Sequence, residues 1–311
     1  MTRLFLGVDG GQSSTTAVIG DETGRVVGTG RGGPCHDVRA ALRDSVHTAL
    51  PDAGGSEASF EAACLGFSGG FADKEAVSRE LVNARQYLFM HDAQIALAGA
   101  TGGGPGVITI AGTGSIAFGR NAEGRVARAG GWGYAFGDEG GAFDLVRQAL
   151  RAALRYEEGW GPRTALLPLL TEAARAKDAN DLMHRFYAGE YSRGQFASFA
   201  YLVEDAERAG DGVARDILHG AAQALATFTA AVRGQLFRPS EIVRICYSGG
   251  VFRSGIILER YRMLVELDEG NRVAPPMYGP AAGALIEAYR MAGVNCSLRN
   301  VPAEKAGGVP L

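Results

Sequence analysis

Apolar residues first gather in Leu4-Phe5-Leu6-Gly7-Val8-Asp9, give way to polar Gly10-Gly11-Gln12-Ser13, and resume in Thr15-Thr16-Ala17-Val18-Ile19. A turn over Asp21-Glu22-Thr23-Gly24 then leads into Arg25-Val26-Val27. The same layout returns in Gly106-Val107-Ile108-Thr109-Ile110-Ala111, Gly112-Thr113-Gly114-Ser115 and Ile116-Ala117-Phe118. Its turn, Asn121-Ala122-Glu123-Gly124, precedes Arg125-Val126, so Gly-Arg-Val closes both copies at an offset of 100 residues. Each copy reads as strand, Gly-rich hairpin, strand, turn, strand. A repeat of this length predicts a duplicated domain with a central cleft between the halves.

Helical spacing follows each strand trio. Val38, Leu42, Val46 and Leu50 recur at every fourth position, as on one helical face. Residues 60–67 and 87–90 read as buried strands, with a helix over 74–84 between them and another from Ala93. Phe143, Val146, Leu150 and Leu154 mark a helix after Gly140-Gly141, and further helices are expected over 164–187, 194–209 and 213–237. A late strand over 242–247 ends in Ser248-Gly249-Gly250, which should open a helix, and a last helix spans 281–291. This order predicts an α/β protein of two domains, an N-terminal one over 1–105 and a C-terminal one with a helical insertion over 106–292. A tail over 293–311 is expected to fray at its Gly307-Gly308-Val309-Pro310 end.

Composition narrows the classes. A length of 311 residues fits two domains at about 150 residues each. With 46% hydrophobic and 21% charged residues, the chain can build a core. A net charge of −3 leaves no basic excess to neutralise phosphates, so no nucleic-acid partner is expected. No apolar run approaches the roughly 20 residues that cross a bilayer, and no membrane partner is expected. The opening Met1-Thr2-Arg3-Leu4 lacks the apolar region of a signal peptide, which points to a cytoplasmic protein. Cys35, Cys64, Cys246 and Cys296 lie far apart, as reduced thiols rather than a disulfide or cluster framework. The anomaly is glycine, at 46 residues, gathered where backbone must turn or approach a ligand.

Five segments carry candidate chemistry. Asp9 at a strand end, followed by Gly10, Gly11, Gln12, Ser13, Ser14 and Thr15, suits phosphate oxygens and a hydrated Mg²⁺ on Asp9. A plain hairpin with a capping Asp is the bland alternative. Gly112, Thr113, Gly114 and Ser115 imitate a dinucleotide fingerprint, but a strand and not a helix follows them. No Walker A loop occurs either, so a nucleotide site must use two glycine hairpins. Ser248, Gly249 and Gly250 let a flat ring lie against the backbone, unless they merely join strand to helix. Asp92 ends a strand where ligand chemistry gathers, and would otherwise N-cap the next helix. The loop from Gly130 to Gly141, with Gly131, Trp132, Asp138 and Glu139, pairs carboxylates with an aromatic wall as sugar binding requires. Helix capping by Asp138 and burial of Trp132 would explain it otherwise.

Taken in order, these segments resemble the actin/Hsp70/sugar-kinase superfamily, and most of all N-acetylglucosamine kinases and the BadF/BadG/BcrA/BcrD ATPase family, over about residues 3 to 291. The resemblance implies two actin-like, ribonuclease H-like domains, and ATP with Mg²⁺ as cofactors. Residues 9–15 and 112–115 match the phosphate motifs, and Ser248-Gly249-Gly250-Val251 the adenosine motif. Gly130-Gly131-Trp132-Gly133 with Gly137-Asp138-Glu139-Gly140 looks like the sugar-side loop, and Asp92 falls at the catalytic base. The implied reaction phosphorylates a hydroxyl of N-acetylglucosamine, glucosamine or a related hexose, in a homodimer. Gln12 stands where relatives carry a small residue. Pro34-Cys35-His36 replaces a Ser-Asn pair that contacts the sugar, which makes His36 an acceptor-side candidate, and His91 replaces an Asn. Two other readings share the fold: an iron–sulfur ATPase activator of a 2-hydroxyacyl-CoA dehydratase, and a non-catalytic sugar sensor.

Overall fold

The computed structural model describes residues 2–50, 58–69 and 71–302. In chain order it forms β1 (Leu4–Gly10), β2 (Thr15–Asp21), β3 (Val26–Gly32), α1 (Val38–Ala49), β4 (Ser59–Phe67), α2 (Glu75–Leu81), β5 (Asn83–His91) and α3 (Asp92–Thr101). Then follow β6 (Gly106–Ala111), β7 (Ser115–Arg120), β8 (Val126–Gly130), α4 (Ala142–Glu157), α5 (Leu166–Ala173), α6 (Ala179–Tyr187), α7 (Arg193–Ala197), α8 (Tyr201–Arg208) and α9 (Gly212–Leu236). The chain ends with β9 (Val243–Ser248), α10 (Gly255–Val265), β10 (Asn271–Ala274) and α11 (Pro280–Met291). The expected fraying at Gly307-Gly308 lies outside the described residues.

The duplication is visible as topology. The strand orders are β3-β2-β1-β4-β5 and β8-β7-β6-β9-β10, the same arrangement twice. In the first sheet β1 runs antiparallel to β2 and parallel to β4, which is parallel to β5. In the second, β7 is antiparallel to β8, while β6 and β10 are parallel to β9. The repeated turn holds its offset atom for atom. Asp21 N donates to Arg25 O and Asn121 N to Arg125 O, both at 3.0 Å. Each turn's first side chain, Asp21 Oδ1 or Asn121 Oδ1, accepts the returning amide of Arg25 or Arg125. Gly24 and Gly124 take left-handed φ values of 83° and 79°, where a side chain would be strained.

Several boundaries differ from the periodic reading. The helix expected over 74–84 stops at Leu81, because Asn83 and Ala84 pair in register with β4. The stretch 164–187 breaks in two, since Asp178 caps a new helix by accepting from Asp181 N at 2.9 Å. A 3-10 turn over Ser198–Ala200 splits the expected 194–209 helix into α7 and α8. After Ser248 a 3-10 turn over Gly250–Arg253 comes first, and α10 starts only at the Ser254 cap. Strand β10 was not legible, being four residues long.

The division of the chain also differs. The described residues up to Gly106, joined by those from Pro275 on, form one unit, and Val107–Ala274 form the other. The second domain was expected to run on to 292. Instead α11 returns to the first unit, packing on β1, β4 and α3. Small residues allow it: a Cβ on Gly283 would lie 2.0 Å from Ile95 O, and one on Gly7 2.2 Å from Leu285 N. Phe5 meets Tyr289 at 4.5 Å between ring centroids, and the Tyr289 hydroxyl donates to Asp21 O at 2.7 Å. The core of the second unit surrounds α9, whose Ile217, Ala221, Leu225 and Val232 are buried. Within it Thr109, Thr229 and Tyr261 share a closed set of hydroxyl hydrogen bonds at 2.7–3.0 Å.

Candidate active site

In the first unit the carboxyl ends of β1, β4 and β5 stop level, because Gly10 pairs with Phe67 and Phe67 with His91. That register brings four loops to one edge. The β1–β2 hairpin closes through Gly11 N to Ser14 O at 3.0 Å and leaves Gln12, Ser13 and Ser14 exposed. Gly10 must be glycine here, since a Cβ would fall 2.4 Å from the Phe67 ring. Cys35 N donates to Gly11 O at 3.0 Å, which ties the Pro34–His36 loop to the hairpin. Cys35 itself is buried, and His36 is exposed at the same loop.

Ser68, which the sequence reading did not single out, joins the same edge. Its amide donates to Gly10 O at 3.1 Å, and its hydroxyl lies 3.7 Å from Cys35 Sγ. The signal was available: Ser68-Gly69-Gly70 ends one buried strand just as Ser248-Gly249-Gly250 ends another. Thr15 Oγ1 is buried with no hydrogen-bond partner among the described residues. A buried hydroxyl left unpaired costs about 1–3 kcal/mol, a cost an acceptor oxygen from a ligand would remove.

Asp92 lies at the end of the same edge, as the first residue of α3. It is not the cap. His91 occupies that position, with its amide bonded to Gln94 Oε1 at 2.9 Å. Asp92 Oδ1 accepts the neighbouring Ala93 amide, at 2.8 Å. Desolvation by the surrounding protein raises its carboxyl above the ordinary value, against the Ala93 amide and His91, which pull it down. An exposed residue with a partly desolvated carboxylate is suited to taking a proton.

In the second unit three segments that stand apart in sequence are stitched together. The Gly112–Ser115 hairpin is backed by the start of α4, with Ala142 N on Gly112 O at 2.8 Å and Phe143 N on Thr113 O at 3.1 Å. Gly131 N donates to Ser115 O at 2.9 Å, and Ser115 Oγ to Glu139 O at 2.6 Å. Gly249, with φ 105°, rests on the end of β6, where a Cβ would lie 2.2 Å from Ala111 O. So the hairpin, the 130–141 loop and residues 248–250 converge at the carboxyl ends of β6 and β9.

The loop itself divides by side chain. Trp132 is exposed, with the Arg128 guanidinium 4.6 Å from its ring centroid, so it is not a core residue. Phe136 is 89% exposed, and Glu139 also faces solvent. Asp138, expected on the sugar side, is only 4% exposed. Its Oδ2 meets Arg193 Nη2 at 2.5 Å, and its Oδ1 faces Ser115 N at 3.4 Å. Asp138 holds a left-handed φ of 64°, the price of turning its side chain back under the hairpin.

The sequence profile of the BadF/BadG/BcrA/BcrD ATPase family matches residues 6–288. An N-acetylmuramic acid/N-acetylglucosamine kinase from Clostridium acetobutylicum is 31% identical, over 86% of this chain and 91% of that protein. An N-acetyl-D-glucosamine kinase from Dictyostelium discoideum is 30% identical, over 82% and 88%. A solved structure from Chromobacterium violaceum, provisionally assigned as an N-acetylglucosamine kinase, superposes with a TM-score of 0.72 at 25% identity. It covers 91% of this chain and 98% of its own.

Proposed function

Because the chain belongs to the BadF/BadG/BcrA/BcrD ATPase family, we propose that it is an ATP-dependent kinase acting on a hydroxyl of an N-acetylated amino sugar. The observation that supports this reading is the level edge of the first sheet, where β1 ends just after Asp9, β4 just before Ser68 and β5 just before Asp92, whose carboxyl is partly desolvated. Both curated relatives are named as kinases of N-acetylated amino sugars, which supports the choice of acceptor.

Asp92 takes the proton of the acceptor hydroxyl as its oxygen bonds to the γ-phosphorus. The bond from that phosphorus to the bridging oxygen breaks, and ADP leaves with the electron pair. Phosphoryl transfer asks little covalent help of the protein, so positioning and charge neutralisation supply most of the rate. Residues 9–15 and 112–115 bind the phosphates, and 248–250 the adenosine. Ser13 and Ser14 offer hydroxyls, and Thr15 Oγ1 offers a buried one in want of a partner. His36, Gly131, Trp132 and Glu139 bound the acceptor, the aromatic ring giving an apolar face to a pyranose.

Asp9 fits Mg²⁺, which binds through one or two carboxylates, waters and phosphate oxygens rather than a protein cage. The cation would neutralise charge on the transferring phosphoryl group.

The decisive experiment measures ADP release with N-acetylglucosamine, N-acetylmuramic acid, N-acetylmannosamine, glucosamine and glucose. Acceptor-dependent release, highest with an N-acetylated sugar, is expected. Release no faster than without acceptor, across the whole panel, refutes the kinase reading.

A further inference from the structure

A buried carboxylate directly beneath a phosphate-binding loop is an electrostatic liability. Asp138 Oδ2 occupies the space of the missing Gly114 side chain, since a Cβ there would lie 2.3 Å from it. From beneath the hairpin its negative charge opposes the triphosphate that the hairpin is proposed to hold, in surroundings that screen poorly. Arg193 answers the charge. Its Nη2 meets Asp138 Oδ2 at 2.5 Å, and a Cβ on Gly114 would also lie 2.7 Å from that same nitrogen.

Arg193 is itself placed with care. It opens α7, where Ser192 and Gln195 form a reciprocal capping box. Behind it Phe196 packs on Phe143 and Phe186 at 5.2 and 4.7 Å between centroids. The guanidinium lies 5.5 Å from the Tyr134 ring centroid, within cation–π range. Its Nε is buried without a partner among the described residues. The side chain therefore accepts an unpaired N–H in order to reach Asp138.

We infer that Arg193 is a positioning residue for nucleotide binding: it anchors and neutralises Asp138, so that the Gly112–Ser115 hairpin can receive a triphosphate. The inference rests on the kinase reading for its ligand, although the anchoring can be read without one. It also gives the helical insertion a task, because the residue that completes the hairpin comes from α7, 55 positions beyond Asp138.

The test compares wild type with Arg193→Met, Asp138→Asn and the double variant. Mg-ATP and adenosine affinities are measured by calorimetry, with amide exchange of residues 112–116 and Tm recorded alongside. In Arg193→Met the buried charge loses its ion-pair partner, and Mg-ATP affinity should fall about tenfold or more, with adenosine affected far less. The double variant removes the charge as well and should recover most of the loss. Asp138→Asn alone should bind Mg-ATP at least as tightly as wild type. Exchange at 112–116 should quicken in Arg193→Met, a readout that needs no nucleotide. Equal losses for ATP and adenosine would assign Arg193 to general folding and overturn the inference, as would unchanged exchange. If Arg193→Met does not fold, the double variant and Asp138→Asn decide: Mg-ATP affinity well below wild type in either overturns it. Wild-type protein that binds no Mg-ATP refutes the kinase reading instead, and the exchange experiment still judges the anchoring.

Discussion

Asp92 sits one residue inside α3 rather than ahead of it, which takes its side chain out of the capping position and leaves it for the proposed role of base. Asn and Asp cap helices about equally well, so Asp92→Asn would be silent in a capping role. Here it should lower turnover at least about a hundredfold while leaving Mg-ATP binding intact, which steady-state rates and calorimetry check. The raised carboxyl pKa sets two further outcomes. Activity needs the ionised form, so the acid limb of the kcat profile should lie above the ordinary carboxylate value. Stability runs the other way: a carboxyl whose pKa rises on folding costs stability above that folded value, and nothing below the unfolded one. Asp92→Asn should therefore raise Tm at pH 7, with the gain gone near pH 3. At this scale the sequence marks candidate residues by type and place and says little of their partners. Asp9, Asp92 and the glycines stood out by their place at strand ends. The engagement of Asp138 by Arg193 did not, because nothing local ties residues 55 positions apart.

The twin turns show what context adds to closely similar local structure. Gly24 and Gly124 both precede Arg-Val, take nearly equal φ and sit in the same pattern of backbone hydrogen bonds. Among the described residues nothing lies within 4 Å of a Cβ on Gly124, whereas one on Gly24 would meet Ser297 O at 2.4 Å. The segment after α11 closes over the first turn, with Arg299 N bonded to Gly24 O and Val26 N to Arg299 O. Gly124→Ala should cost about 1–2 kcal/mol, the strain of a left-handed residue. Gly24→Ala should cost clearly more, since backbone must also move. Chemical denaturation of the two variants makes the comparison, and equal losses would deny the closing segment any role. Periodicity located most elements and missed their ends, because capping side chains such as Asp178 and Ser254 set helix starts. Pairing decided the rest, as at Asn83, where a strand partner outweighs helical spacing.

For the whole molecule, the return of α11 means that the first unit is not a continuous piece of chain. Ala281, Ala282, Ala284, Leu285, Ala288 and Tyr289 make up much of the core cluster that covers Phe5, Val18 and Ile95. A fragment of residues 1–106 should stay unfolded, with that apolar face bare. Joining residues 275–302 to it through a flexible linker should restore a cooperative melt by circular dichroism. A fragment 1–106 that melts cooperatively alone would contradict this account. By itself the sequence determined the α/β class, the duplicated strand trio and the two glycine hairpins. Alternation, turns and backbone freedom act over a few residues, so they leave their mark in order along the chain. Only the tertiary structure decided which unit owns the last helix, that Ser68 joins the first hairpin, and that Arg193 balances Asp138. Those pairings span from 55 to more than 200 positions, and each depends on close approach between distant segments, which leaves no periodic trace in the sequence.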